Sequence, residues 1–126
     1  MIYELRQYEC LPGKLADVVE RFRRDVAPLW KDMEIHCLGF WTTMVGPSDQ
    51  TLHYILAWQS LADRDAKWRT FAQDPRWLAA KAHTEQAGPL VARISNTLMR
   101  SASVTEIVEP TWHRSCGAPA GEVKRC

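Results

Sequence analysis

The chain has 126 residues, enough for one ordinary domain. Hydrophobic residues make up 46% and charged residues 25%, the balance of a folded globular domain and not of a disordered chain. The net charge is +1 with no basic run beyond Arg23-Arg24, which argues against a nucleic-acid partner, and no apolar stretch is long enough to span a bilayer.

Residues 2–9 alternate, with Tyr3, Leu5 and Gln7 on one side and Ile2, Glu4, Arg6 and Tyr8 on the other, which predicts a strand with two different faces. These opening residues have no signal- or transit-peptide layout, so a cytoplasmic protein is expected. Pro12-Gly13 breaks the strand. From Lys14 to about Lys31, Leu15, Val18, Val19, Phe22, Val26 and Leu29 recur at helical spacing, and Pro28 is expected to kink or end that helix. Residues 36–45 and 51–59 read as a hairpin around Gly46-Pro47-Ser48-Asp49. Ser60 opens a second helix with capping-box spacing to Asp63, Asp74-Pro75 restarts it, and Gly88-Pro89 ends it. Residues 90–99 give a last strand.

The resulting order, βαββαβ, predicts an α+β fold of ferredoxin-like type, an antiparallel sheet with both helices on one face. The ordered domain is expected over 1–102, and 103–126, with Pro110, Pro119 and no periodicity, as an irregular tail. The hairpin strands are apolar on both sides: Leu38, Phe40 and Met44 against Cys37, Trp41 and Val45, and Leu52, Tyr54, Leu56 and Trp58 against Ile55 and Ala57. Helices cover one face only, so the other calls for a second copy of the chain, giving a homodimeric α+β barrel with room for further association.

The four cysteines, Cys10, Cys37, Cys116 and Cys126, match no disulfide framework or metal knuckle and are read as free thiols. His113 and Cys116 alone fall short of a four-ligand zinc site, so no metal is expected. Haem would need an axial ligand from His36, His53, His83 or His113; none stands out, and no cofactor is expected. His53 is expected on the helix-facing side of its strand and His83 in solvent.

Four stretches carry a family likeness: Ile2-Tyr3-Glu4-Leu5-Arg6 with Tyr8 and Pro12-Gly13-Lys14; Leu38-Gly39-Phe40-Trp41-Thr42-Thr43; Gly46-Pro47; and Ser60-Leu61-Ala62-Asp63-Arg64 followed by Asp74-Pro75 and Trp77. In these, over roughly residues 1–100, the chain resembles the NIPSNAP family. The resemblance implies a dimeric α+β barrel and brings no reaction with it. Family members show a His, a Trp and a Tyr at alternating positions of the third strand. Here those positions are Tyr54, Leu56 and Trp58, and His53 is one residue out of step.

Glu4, Arg6 and Tyr8 share one face of a central strand. If that face lines the barrel, Arg6 suits an anionic or carbonyl oxygen; otherwise Glu4 and Arg6 pair with each other or across an interface. Trp41, Tyr54 and Trp58 suit a planar apolar ligand or an interface core. The expected function is to bind a small apolar or aromatic molecule or to act as an interaction module. The alternative is a cofactor-independent enzyme of monooxygenase, isomerase or dehydratase type on an aromatic or polyketide-like substrate.

Overall fold

The computed structural model describes residues 1–106; of the expected tail, 107–126 lie outside the described residues. Strand β1 (Ile2–Cys10) leads into helix α1 (Leu15–Arg21), a π-helical turn (Phe22–Val26) and helix α2 (Ala27–Asp32). Strands β2 (His36–Thr42) and β3 (Thr51–Trp58) form the hairpin, followed by α3 (Leu61–Gln73), α4 (Pro75–Thr84) and β4 (Val91–Met99). The four strands lie antiparallel in the order β2-β3-β1-β4, the ferredoxin-like arrangement. Among the described residues no helix is long and apolar enough to cross a membrane.

The first helix passes through Pro28 instead of stopping there. Proline lacks an N–H and its ring crowds the carbonyl four residues back, so an unbroken α-helical ladder cannot contain it comfortably. The wider π turn ends two residues earlier, with Ala27 N–H bonded to the Phe22 carbonyl, and Pro28 then falls in the first turn of α2, where no donor is required. The helix ends in a Schellman motif. Ile35 N–H bonds the Trp30 carbonyl at 2.9 Å and Glu34 N–H the Lys31 carbonyl at 3.2 Å, with Ile35 packed in the core beside Trp30. Glu34 supplies the left-handed residue at φ 58°. Downstream, Ser60 Oγ accepts from Asp63 N–H at 3.1 Å and Asp74 Oδ1 from Arg76 N–H at 2.8 Å, capping α3 and α4 as their spacing predicts.

One side of the sheet lies under the helices. Tyr8, Cys10, Leu52, Tyr54, Leu56 and Trp58 form a single core with Val18, Phe22, Val26, Leu29, Trp30 and Phe71. Two expectations change here. Strand β2 ends at Thr42, not residue 45, and leaves Met44 and Val45 each 96% exposed at the hairpin tip. The pairing also slips between Cys37 and Gly39, leaving Leu38 as an extra residue. That bulge reverses the side-chain alternation, so Phe40, opposite Tyr54, faces the helices, while Trp41, opposite His53, faces away.

Replacing Glu34 by Gly removes the cost of a side chain in the left-handed region. The expected result is a gain of about 1 kcal/mol in stability, read as a higher urea midpoint at unchanged slope.

Candidate functional site: a buried charge network beside an apolar cleft

Alternation along β1 sends Glu4, Arg6 and Tyr8 to the helix-covered side. The barrel-lining placement considered from sequence is therefore corrected: these three lie between sheet and helices, because their cross-strand partners Leu56, Tyr54 and Leu52 carry the core. Glu4 is fully buried and accepts five hydrogen bonds. Trp58 Nε1 and Arg64 Nε reach Oε1 at 3.0 and 2.9 Å, and Arg6 Nη1, Arg64 Nη2 and Asn96 Nδ2 reach Oε2 at 3.0, 3.1 and 2.9 Å. Burial alone raises the Glu4 carboxyl; the bonds from Arg64, Asn96 and Arg6 outweigh it and hold the carboxyl down at about 2.

Arg6 continues the network across the sheet. Its Nε donates to Tyr54 Oη at 2.8 Å, and Tyr54 Oη donates to Tyr8 Oη at 3.1 Å. The Arg6 guanidinium lies over the Trp68 ring, 4.5 Å from its centre. Burial, reinforced by the neighbouring Tyr8, pushes the Tyr54 phenol well above its usual range, so it remains a hydrogen-bond donor. Burial likewise lifts the Cys37 thiol to about 12, where it is no nucleophile.

Of the aromatic candidates, Tyr54 and Trp58 are buried on the helix side, while Trp41 is half-exposed on the other. Phe40 takes the place expected for Trp41, its ring centre 5.1 Å from that of Tyr54. An unrecognised bulge separated the two; only pairing register locates it. Sequence reasoning also missed Arg64 and Asn96, remote in the chain and brought to Glu4 by α3 and β4.

Beside this network, the π turn and the hairpin enclose a cleft of about 300 Å³, lined by Val19, Phe22, Arg23, Ala27, Phe40 and Leu52. Among the described residues Arg23 is the sole charged one in the lining, and its exposed side chain pairs with Glu20. Phe22 stands between the cleft and the phenols, its ring centre 5.5 Å from that of Tyr8 and 5.3 Å from that of Tyr54.

The open face of the sheet carries Tyr3, Leu5, Ile55, Ala57 and Met99, continuing to Trp41, whose ring lies over Gly39. A Cβ at Gly39 would sit 3.0 Å from that ring. His53 is also on this face, not the helix-facing one expected, because it pairs with Gln7. Its Nδ1 is bonded to Gln7 Nε2 at 3.1 Å and its Nε2 to Thr43 Oγ1 at 2.8 Å. His83 is exposed, as its position predicts. Among the described residues no group of three or more His, Cys, Asp and Glu is placed to hold a metal ion.

The fold and network define a ferredoxin-like α+β domain. Solved structures of that kind include an uncharacterised NIPSNAP domain protein from Burkholderia xenovorans, 18% identical, with a TM-score of 0.73 over 85% of this chain and 100% of that one. A NIPSNAP family protein of unknown function from Agrobacterium tumefaciens is 23% identical, with a TM-score of 0.74 over 86% and 94%. A putative antibiotic biosynthesis monooxygenase from Nitrosomonas europaea is 10% identical, with a TM-score of 0.58 over 81% and 99%. No functionally curated protein matches the chain. The NIPSNAP family model matches residues 3–106, and the chain belongs to that family.

Glu4→Gln leaves two buried guanidiniums without their carboxylate, and a loss of about 3 kcal/mol at pH 7 is expected. Because the folded pKa lies below the ordinary carboxylate value of 4.5, the Glu4 contribution is fully present above pH 5 and disappears as pH falls toward 2. Denaturation across that window should show a shallower acid loss in Glu4→Gln than in the unsubstituted chain.

Proposed function

We propose that this protein pairs with a second copy through the open face of its sheet and holds a small apolar or aromatic molecule in the cleft between the π turn and the hairpin. The cleft lining carries this reading. Five apolar side chains and one rim arginine suit an uncharged ring or hydrocarbon and offer few polar groups to fix a reacting one. A volume near 300 Å³ is about ten water volumes, so the molecule is on the order of ten non-hydrogen atoms. The π turn supports the same reading, since such turns in helices often accompany functional sites, and this one brings Phe22 and Arg23 to the cleft.

The second copy is supported by Leu5, Ile55 and Trp41, which lie on the face away from the helices and are partly or half exposed, an apolar patch that a twofold partner would bury. A cofactor-independent enzyme of the kind suggested by the monooxygenase likeness is the second reading. The protonated Tyr54 phenol is its one favourable feature, and Phe22 stands between that phenol and the cleft.

Native mass spectrometry of protein purified without added ligand tests both parts. A dimer carrying a discrete extra mass is expected, and a monomer would overturn the pairing. Ile55→Glu places a charge in the middle of the open face and should give a folded monomer by sedimentation. Ala27→Phe should fill the cleft and abolish fluorescence enhancement of the neutral probe N-phenyl-1-naphthylamine while the melting temperature holds or rises. Undiminished enhancement in that variant would remove the cleft as the site.

A further inference from the structure

Trp30 lies in the aromatic core and is 1% exposed. Phe22, Phe40, Tyr54, Trp68 and Phe71 surround its ring, with centres 5.5 to 6.2 Å away. Its indole Nε1–H is buried and meets no hydrogen-bond acceptor among the described residues. The one side-chain oxygen in that circle, Tyr54 Oη, is engaged with Arg6 and Tyr8. Trp58, by contrast, spends its indole N–H on Glu4. The other buried nitrogen without a partner, Arg21 Nε, belongs to a guanidinium that already bonds Thr84 and Glu85. Buried donors in folded proteins are nearly always paired, and the face of an aromatic ring recovers only part of what an N–H loses on leaving water. The Trp30 indole is therefore a donor with an acceptor still to find.

Two of the five rings around Trp30, Phe22 and Phe40, also line the cleft. The indole thus lies one ring behind the cleft wall. Those two rings are not equally fixed. Phe22 is buried in the core, whereas Phe40 is 37% exposed on the edge strand β2, just past the bulge at Leu38. Phe40 stacks on Trp30 with the ring planes 15° apart. Turning Phe40 outward gives up that stacking and joins the cleft to the Trp30 ring, while turning Phe22 would empty the core.

We propose that the molecule held in the cleft carries a neutral carbonyl oxygen, which accepts the Trp30 indole N–H when Phe40 swings outward. This assignment rests on the cleft as the binding site and narrows its occupant to a cyclic or aryl ketone, ester or lactone. Neutrality follows from the surroundings. An indole is a single donor, and Arg23 stands at the rim with its side chain 69% exposed. A carboxylate drawn in beside Trp30 would meet one hydrogen bond and no counter-charge, which does not repay its desolvation. A carbonyl is served by one donor, which is what the indole offers.

The test uses α-tetralone and tetralin, which share one bicyclic frame and differ by a carbonyl. Each is titrated into the full chain labelled with nitrogen-15 in its tryptophans, and the indole N–H resonances are followed by NMR. Both compounds should bind, and both should weaken in Ala27→Phe, where the cleft is filled. Tetralone should move the Trp30 indole resonance downfield, and tetralin should not. Trp30→Phe keeps a ring and removes the donor, so it should weaken tetralone about fivefold relative to tetralin. The resonance is read in the unsubstituted chain and assigned by its through-space contacts to Phe22 and Phe71, so it decides the question even if Trp30→Phe does not fold. Binding of both compounds with no downfield movement under tetralone would overturn the carbonyl assignment and leave the cleft standing. Binding of neither, or binding untouched by Ala27→Phe, would overturn the cleft and the assignment together.

Discussion

A single carboxylate, that of Glu4, ties this domain together. Its two oxygens collect donors from β1 through Arg6, β3 through Trp58, β4 through Asn96 and α3 through Arg64. Three of the four strands and the helix above them thus converge on one point that has no water to fall back on. A buried carboxylate is costly by itself, and it persists here because four different elements supply its donors. Each element must therefore be in register for the charge to be accommodated. This constraint fixes how β4 lies against β1 and where the start of α3 lies over the sheet. It also holds Arg6 against Trp68 and Tyr54, so the candidate site inherits its geometry from it.

The first helix shows a second constraint. Its apolar positions must stay over the sheet through a proline, and the π turn allows this by widening one turn. The widened turn presents Phe22 inward to Tyr8, Tyr54, Trp30 and Phe40, and leaves Arg23 at the cleft rim. A helix built purely of α-turns would rotate the residues that follow by a different angle and lose one of these two contacts. The cleft is thus a consequence of accommodating Pro28 as much as of the side chains that line it.

The two sides of the sheet are unequal. The helix side carries the dense aromatic core and the Arg6 and Arg64 guanidiniums gathered on Glu4. The open side mixes Leu5, Ile55 and Trp41 with the hydrogen-bonded set Gln7, His53 and Thr43. The open side is less apolar than the hairpin sequence suggests, because Leu52, Tyr54, Leu56 and Trp58 all turn toward the helices. What remains there is the partly exposed Leu5, Ile55 and Trp41 beside a hydrogen-bonded polar set.

Local chemistry was legible along the chain. The alternation of residues 2–9, the caps at Ser60 and Asp74 and the turn at Gly46-Pro47 each act over a few residues, and the βαββαβ order follows from them. The grouping of Glu4, Arg6 and Tyr8 on one face was legible for the same reason, since a period of two needs no tertiary information. Which way that face points was not, because strand alternation defines two sides without saying which one the helices cover. Trp41 and Phe40 exchanged places through a bulge whose cause lies in pairing with β3, and Arg64 and Asn96 lie 60 and 92 residues from Glu4 in the chain. Sequence by itself determined the elements, their order and the family; the tertiary structure alone decided the buried side, the partners of Glu4 and the position of the cleft, because those depend on contacts between segments that have no local signature.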